Sequence, residues 1–465
     1  MSVQDHSDGV ERYVQRGITS VEAAAQQRTE MRRRKFDTIA VHGLYGLEAS
    51  LQNQGSTNEP LFLSVSQHFE CSDHMEASLA YKMPSWTYGR IANPTQFYLE
   101  ETLAMLEGYG FAGEVSACAT ASGMAATFMA TYPLLGLGDP DLRHSRANIV
   151  ASAKCYGGTF MLFTERYSRE LGIELRWVRD QLDLEAWRAV IDENTRFVFG
   201  EFPSNPALGM FDIEGLAGLA HAFDIPLIVD STIATPALTR PILYGADVVV
   251  HSLTKAMTTS GFGVGGAVVA RHGIPARTGS EEMRQNFALH IKLFPLRDFG
   301  PGISPFNAMM TMNDLRTLRG KVSTMSSTAM AIAQFLQEHP AVEQVSYPGL
   351  RDSPGHDLAR RYMRLVDCDD AEDDRRFGHL MGFTLRGGAQ AARDVFDRLR
   401  IIARATDLGR IKSIATIPTI STHQQQGEEG RDIADVPGNL IRLSVGAEHV
   451  DDLVEDIAQA LDHDS

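Results

Sequence analysis

The chain has 465 residues, more than one hydrophobic core usually organises, and 43% of them are hydrophobic, so two substantial cores are expected. A formal net charge of -16 at pH 7 argues against nucleic acid or an anionic membrane surface as a partner. Cys71, Cys118, Cys155 and Cys368 are widely spaced, with no CxxC pair and no histidine at ligand spacing, so neither a disulfide framework nor a metal site is expected and a reducing compartment fits.

In chain order, residues 1–40 read as an N-terminal extension. Asp5, Asp8 and Glu11 stand where a secretory signal would be apolar, so a cytoplasmic location is expected. Thr19 and Glu22 have capping-box spacing ahead of the helical run Ala23-Ala24-Ala25, and Arg32, Arg33, Arg34 and Lys35 are read as a basic cluster solvating the helix end. Val115 to Gly138 is uncharged, but Ser116, Thr120, Ser122, Gly123 and Pro133 interrupt it, which predicts a buried helix with a polar start rather than a membrane span. The runs Asn148–Ala151, Phe197–Gly200, Pro226–Asp230 and Asp247–Val250 alternate with amphipathic stretches, the rhythm of βαβ units and a mostly parallel sheet. From about residue 300 a long helical stretch, Ala308 to Phe335, then mixed segments and a closing amphipathic helix, His449 to Leu461, predict a smaller C-terminal α/β domain. Asp367 to Asp374 holds six acidic residues in eight and is read as a solvated loop. The expected division is an N-terminal extension and arm over 1–85, a large domain over 86–302 and a C-terminal domain over 303–465.

Chemistry concentrates where the predicted strands end. Val248-Val249-Val250-His251 is followed by Ser252, Thr254 and Lys255. An ammonium at a buried strand end is costly unless paired or chemically used, and desolvation that lowers its pKa favours imine formation with an aldehyde. By itself the pattern equally suits a surface lysine after a strand. Asp230 closes an apolar strand 25 residues upstream, the place for a carboxylate that pairs with a pyridinium nitrogen, though a helix N-cap reads the same way. Ser122, Gly123 and Met124 open a helix, where free amides and the dipole favour an anion, and the hydroxyls of Ser252 and Thr254 could add to such a phosphate seat. Tyr156, followed by Gly157 and Gly158, offers an aromatic face to a flat ring. Gly261 to Gly266 matches the dinucleotide fingerprint literally, but it leads into the strand-like Ala267–Ala270 instead of opening a helix. His42, His68, His251, His290 and His423 are scattered and read as structural groups.

These residues, taken in order, resemble the Cys/Met-metabolism pyridoxal-phosphate enzymes, the cystathionine γ-synthases, γ-lyases and O-acetylhomoserine sulfhydrylases, from about Pro60 to the C-terminus. The resemblance implies a fold-type-I subunit, an α/β protein with a mostly parallel sheet in the large domain, assembled as a homotetramer of two catalytic dimers. It implies pyridoxal 5'-phosphate on Lys255, with Tyr156 assisting catalysis as well as stacking. Tyr88-Gly89-Arg90 looks like the family segment whose tyrosine and arginine hold the phosphate in the neighbouring subunit, and Glu201-Phe202-Pro203-Ser204-Asn205-Pro206 like the one whose asparagine contacts cofactor and substrate. Arg442-Leu443-Ser444-Val445-Gly446 looks like the segment whose arginine forks onto the α-carboxylate of an amino-acid substrate, with Asp407 beside it.

Within the family, methionine γ-lyases carry a cysteine where this chain has Gly158, and Asp407–Ser413 with Pro418–Gln424 resembles the sulfhydrylases. This implies γ-replacement on an O-activated homoserine, the alternatives being γ-elimination and, more remotely, a catalytically inactive scaffold. Three departures bear on substrate and nucleophile. Thr258-Thr259-Ser260-Gly261 replaces a Gly-Gly-His-Gly run; Lys321 stands where arginine is expected, with Met325 and Thr328 after it in place of histidine and asparagine; and Asp407 stands where serine or asparagine is usual.

Overall fold

The computed structural model describes residues 3–138, 147–368 and 375–462, with side chains from residue 9 onward. Its centre is a seven-stranded sheet made of β1 (Val115–Thr120), β2 (Asn148–Ser152), β3 (Glu174–Val178), β4 (Thr195–Glu201), β5 (Leu227–Asp230), β6 (Val248–His251) and β7 (Gly266–Arg271), in the order β1-β7-β6-β5-β4-β2-β3. The pairs β3–β2, β2–β4, β4–β5 and β5–β6 are parallel, while β7 runs antiparallel to both β6 and β1.

The apolar runs become strands because the sheet is covered on both sides, which lets each side chain find a core whichever way it points. Val150, Val198, Val229 and Val249 enter one core, and Ile149, Phe197, Phe199, Ile228, Val248 and Val250 enter the other, following the two-residue alternation of a strand. The first core continues into a second, five-stranded sheet of β8 (Val342–Ser346), β9 (Leu380–Leu385), β10 (Ala403–Arg404), β11 (Ile414–Thr416) and β12 (Leu440–Ser444), ordered β10-β11-β12-β9-β8. The helix Leu318–Glu338 packs on β8 and β9, and the helix Val450–Leu461 packs against that helix, with Val322, Ile332, Leu453 and Ile457 in the same core. Among the described residues no helix is long and apolar enough to cross a membrane.

Several expectations are corrected. The capping pair Thr19 and Glu22 lies inside one continuous helix, Val3–Met31, and the Thr19 hydroxyl donates to the Gln15 carbonyl one turn back. Val115–Gly138 is not one helix: Val115–Thr120 pairs along all its length with β7, and only Gly123–Thr131 is α-helical, followed by a short 3-10 turn. An apolar run next to an unpaired strand is captured by that strand, which local composition does not reveal. Ala308–Phe335 is two helices, Pro305–Leu315 and Leu318–Glu338, broken at Arg316–Thr317.

The basic cluster does more than solvate. Arg32 donates to the carbonyls of Phe111 and Gly113 at 2.6 and 2.8 Å, and Arg28 forks onto Glu101 at 2.7 and 2.9 Å, so both arginines tie the N-terminal helix to the large domain. Of the acidic run, residues 369–374 lie outside the described residues. Asp367 is docked rather than solvated, accepting the Phe36 amide at 2.9 Å and the Tyr109 hydroxyl at 2.7 Å. Gly266 opens β7, so the literal dinucleotide fingerprint leads into a strand here.

The two-sided core makes a specific demand of Phe199, which is fully buried and packs edge-on against Phe163 at 5.3 Å. Phe199→Ala should destabilise the protein by about 3–5 kcal/mol, measured as a lowered midpoint of denaturant unfolding.

Candidate active site

β2, β4, β5 and β6 end on one edge of the sheet, and the segments after them converge there, as ligand-binding segments do at the carboxyl edge of open α/β sheets. Gly123, Met124, Tyr156, Asn205, Asp230, Ser252, Thr254, Lys255 and Arg442 all line one cavity at this edge, joined by Glu201, Thr232, Ile233, Thr406 and Leu408. Most are delivered by a strand end, and Arg442 comes from β12 in the second sheet.

Lys255 reaches across the cavity. Its Nζ donates to Asp407 Oδ1 at 2.7 Å. Burial pulls the amine's pKa below its ordinary value, against the opposing pull of Asp407. Asp407, drawn upward by burial, is nevertheless held below its usual range by Lys255 and by Arg410, whose Nε donates to Oδ2 at 2.5 Å.

Asp230 and Glu201 are register partners at the ends of β5 and β4. Burial raises the pKa of both carboxyls, and for Glu201 the neighbouring Asp230 charge adds to it. Glu201 spends its oxygens on backbone, accepting the Tyr156 amide at 2.6 Å and the Asn205 amide at 2.9 Å. Asp230 accepts from the Thr232 amide at 3.0 Å and faces the cavity, where a cationic N–H would relieve it.

Arg442 is almost fully buried. One Nη donates to Asn205 Oδ1 at 3.0 Å and the other to the carbonyls of Thr406 and Asp407 at 3.2 and 2.9 Å, while Nε has no partner among the described residues. Burial pushes its pKa down to about 10. A buried guanidinium with an open nitrogen is a demand for an anion, and a carboxylate meets it.

At the other end of the cavity the helix Gly123–Thr131 presents its N-terminus. Ser122 caps it, its Oγ accepting the Ala125 amide at 3.1 Å. A β-carbon on Gly123 would stand 2.6 Å from Ser252 Cβ, so only glycine lets the strand-end segment lie against the helix start. Ser252 thus flanks the amides of the first turn. Thr254 is brought to the cavity too, but its hydroxyl donates to Gly265 O and accepts the Gly265 amide, both at 3.1 Å. Its hydroxyl is thus engaged by the Gly265 backbone at the rim of the cavity.

Tyr88 and Arg90 do not line this cavity. The Arg90 guanidinium lies over the Tyr88 ring at 5.3 Å and donates to the Arg297 carbonyl, and Tyr88 is exposed. Sequence reasoning gave no role to Glu201, Thr232 or Arg410. Glu201 could have been found, since it closes an apolar strand as Asp230 does. Thr232, whose Oγ1 accepts the Ser252 amide at 2.7 Å, and Arg410 had no such signal. His251 is buried with Nε2 2.9 Å from Glu107, and His423 is buried with its pKa pushed down to about 4 by desolvation. Among the described residues no cluster could hold a metal ion.

A model of the family described as Cys/Met metabolism PLP-dependent enzymes matches residues 37–462, leaving the first helix outside the match. An O-succinylhomoserine sulfhydrylase of Pseudomonas aeruginosa is 35% identical over 426 residues, covering 92% of this chain and 95% of its own. An O-acetyl-L-homoserine sulfhydrylase of Corynebacterium glutamicum is 33% identical over 448 residues, with 91% and 95% covered. A crystal structure of a putative O-acetylhomoserine (thiol)-lyase from Campylobacter jejuni, solved with N'-pyridoxyl-lysine-5'-monophosphate, superposes with a TM-score of 0.82 at 31% identity, covering 92% of this chain and 100% of that one.

Glu201 carries the most local structure for one side chain. Glu201→Leu leaves the Tyr156 and Asn205 amides unpaired, at a cost of about 1–3 kcal/mol each, and should appear as a lower thermal unfolding midpoint.

Proposed function

The chain belongs to the Cys/Met metabolism PLP-dependent enzymes, and from that premise we propose that it catalyses γ-replacement on an O-activated homoserine, with Lys255 as the lysine that bears pyridoxal phosphate. The observation that carries this reading is the convergence, in one cavity, of the Lys255 amine, the Asp230 carboxylate and the partnerless Nε of Arg442. The sulfhydrylase names of the relatives support the same reaction type, with sulfide as the nucleophile.

The residues present fit the cofactor. Asp230 is a half-buried carboxylate facing the cavity and suits a pyridinium N–H; the amides of the helix starting at Gly123, with the Ser252 hydroxyl, suit a phosphate; Tyr156 offers a ring face. Pyridoxal phosphate bound there supplies a sink for the electron pair released at a substrate carbon. Everything else falls to the chain. Arg442 forks onto the substrate α-carboxylate through its Nε–H, which has no partner among the described residues, and a second guanidinium N–H, with Asn205 fixing the guanidinium plane. Lys255 Nζ, when free and neutral, would carry protons one at a time, taking one from Cα, giving it up, and only then taking one from Cβ, because departure of a γ-substituent requires both. Burial lowers its pKa, which favours the neutral form that a base must have.

Gly158 bears on the choice between replacement and elimination. A β-carbon there would stand 2.5 Å from the Tyr156 ring and 2.9 Å from Met124 Sδ, so the cysteine expected of methionine γ-lyases would displace the tyrosine. The position of Tyr88 and Arg90 outside the cavity supports a catalytic dimer in which they serve the neighbouring site, two such dimers making the tetramer. Cytoplasmic residence and the division into an arm (1–85), a large domain (86–302) and a C-terminal domain (303–465) belong to the same reading.

Incubating the protein with O-acetyl- or O-succinylhomoserine and sulfide should yield homocysteine. Release of only 2-oxobutyrate and ammonia in every mixture would establish elimination instead. Lys255→Ala should abolish turnover and the borohydride-sensitive visible band, and Arg442→Ala should lower kcat/KM roughly 10- to 100-fold through loss of a charged hydrogen bond. Arg90→Ala should weaken cofactor retention while leaving the fold intact, as read by dialysis followed by absorbance. A monomeric Arg90→Ala protein with full activity would contradict the shared site.

A further inference from the structure

The three places where the sequence departs from the sulfhydrylase pattern meet in one chain of polar contacts that ends on Lys255. Lys321 Nζ lies 2.5 Å from Asp314 Oδ1. Asp314 accepts the Ser260 amide and hydroxyl at 3.1 and 2.5 Å and the Thr259 hydroxyl at 3.2 Å. That anchors the Thr258–Gly261 run, whose Thr258 carbonyl accepts Arg410 Nη1 at 2.7 Å. Arg410 Nε holds Asp407 Oδ2 at 2.5 Å, and Asp407 Oδ1 faces Lys255 Nζ at 2.7 Å.

The loop carrying Asp407 is fixed against the backbone beside the lysine. Gly409 has a φ of +70°, and a β-carbon there would stand 2.5 Å from the Ala256 nitrogen, so the two segments touch main chain to main chain. The Gly409 amide donates to Ser444 Oγ at 2.8 Å and the Ile411 amide to Thr259 O at 3.0 Å. The Asp407–Lys255 separation is therefore set by packed backbone as well as by side-chain torsions.

We propose that Asp407, braced by Arg410, is a positioning residue that receives the Lys255 ammonium whenever that amine is free, and so biases the lysine toward its free state. The inference rests on Lys255 being the cofactor lysine. When a neutral substrate amine takes over the carbonyl carbon from a protonated Lys255 imine, one C=N bond would form, one would break, and both protons of the incoming nitrogen would pass to Nζ, leaving Lys255 as an ammonium and the substrate imine neutral. A carboxylate at 2.7 Å favours that outcome, and a neutral side chain at position 407 would not. The other charged or titratable groups around Nζ are Arg410, Arg442, Asp230, Glu201 and Tyr156, and of these the two arginines oppose the ammonium.

The test is cofactor uptake by stripped protein, followed as growth of the visible band across pH in the wild type and in Asp407→Asn, Asp407→Ser and Asp407→Glu, with borohydride trapping and peptide mass spectrometry to locate the adduct. Only the neutral amine attacks the aldehyde, so removing the carboxylate should move the midpoint of the rate profile down by about one pH unit. Uptake should then be about tenfold faster at any pH below both midpoints. Asp407→Glu should stay near the wild type. A purely structural role would slow uptake at every pH and leave the midpoint in place. Acetylation of the cofactor-free proteins, with Lys255 quantified by mass spectrometry, reads the same midpoint without any cofactor. Equal midpoints in the wild type and both the Asn and Ser variants overturn the proposal. Failure to trap any adduct on wild-type Lys255 overturns instead the assignment beneath it.

Discussion

Glu201, Asp230, Lys255 and Arg442 are ionisable groups withdrawn from water around one cavity, and the local structure depends on how each is answered. A charge moved out of water must find a partner, shift its pKa or lie close to solvent. Glu201 finds two backbone amides, and Arg442 finds Asn205 and two carbonyls. Lys255 finds Asp407. Asp230 and the Nε of Arg442 are left incompletely answered, one an acid without a cation and the other a guanidinium nitrogen without an acceptor. Those two deficits suit a ligand that is cationic at one end and anionic at the other.

The parallel register of β4 and β5 is what makes this possible. It sets Glu201 beside Asp230, so that one acid serves the backbone while the other is presented to the cavity. The same edge places Ser252 against the start of the helix at Gly123, where a side chain would not fit. The second sheet supplies the remaining groups, since β12 carries Arg442 and the loop between β10 and β11 carries Asp407 and Arg410. A hydrophobic core shared by both sheets holds these contributions in register.

Much of this was readable from local pattern. Apolar β-branched runs ending in a polar residue marked β5 and β6, and Asp230 and Lys255 stood out because a charge at a buried strand end needs a reason. The failures have a common form. Val115–Thr120 looked helical until β7 was there to pair with it, and Thr19 looked like a cap because nothing local showed that the helix begins upstream. Arg32 and Asp367 looked solvated because their partners, Phe111, Gly113, Phe36 and Tyr109, lie far away in sequence.

The amino-acid sequence by itself picked out the strands and the residues that end them, because hydrophobic periodicity and the cost of burying a charge are local properties, and it pointed to the fold type and the cofactor through its ordered resemblance to the Cys/Met-metabolism enzymes. Tertiary structure alone decided which of those groups are satisfied and which are left open, since satisfaction depends on distance in space. It showed that Glu201 serves backbone rather than ligand, and that Tyr88 and Arg90 stand away from their own chain's cavity. It also showed that three scattered departures from the family pattern, at positions 258–261, 321 and 407, form a single connected path to Lys255.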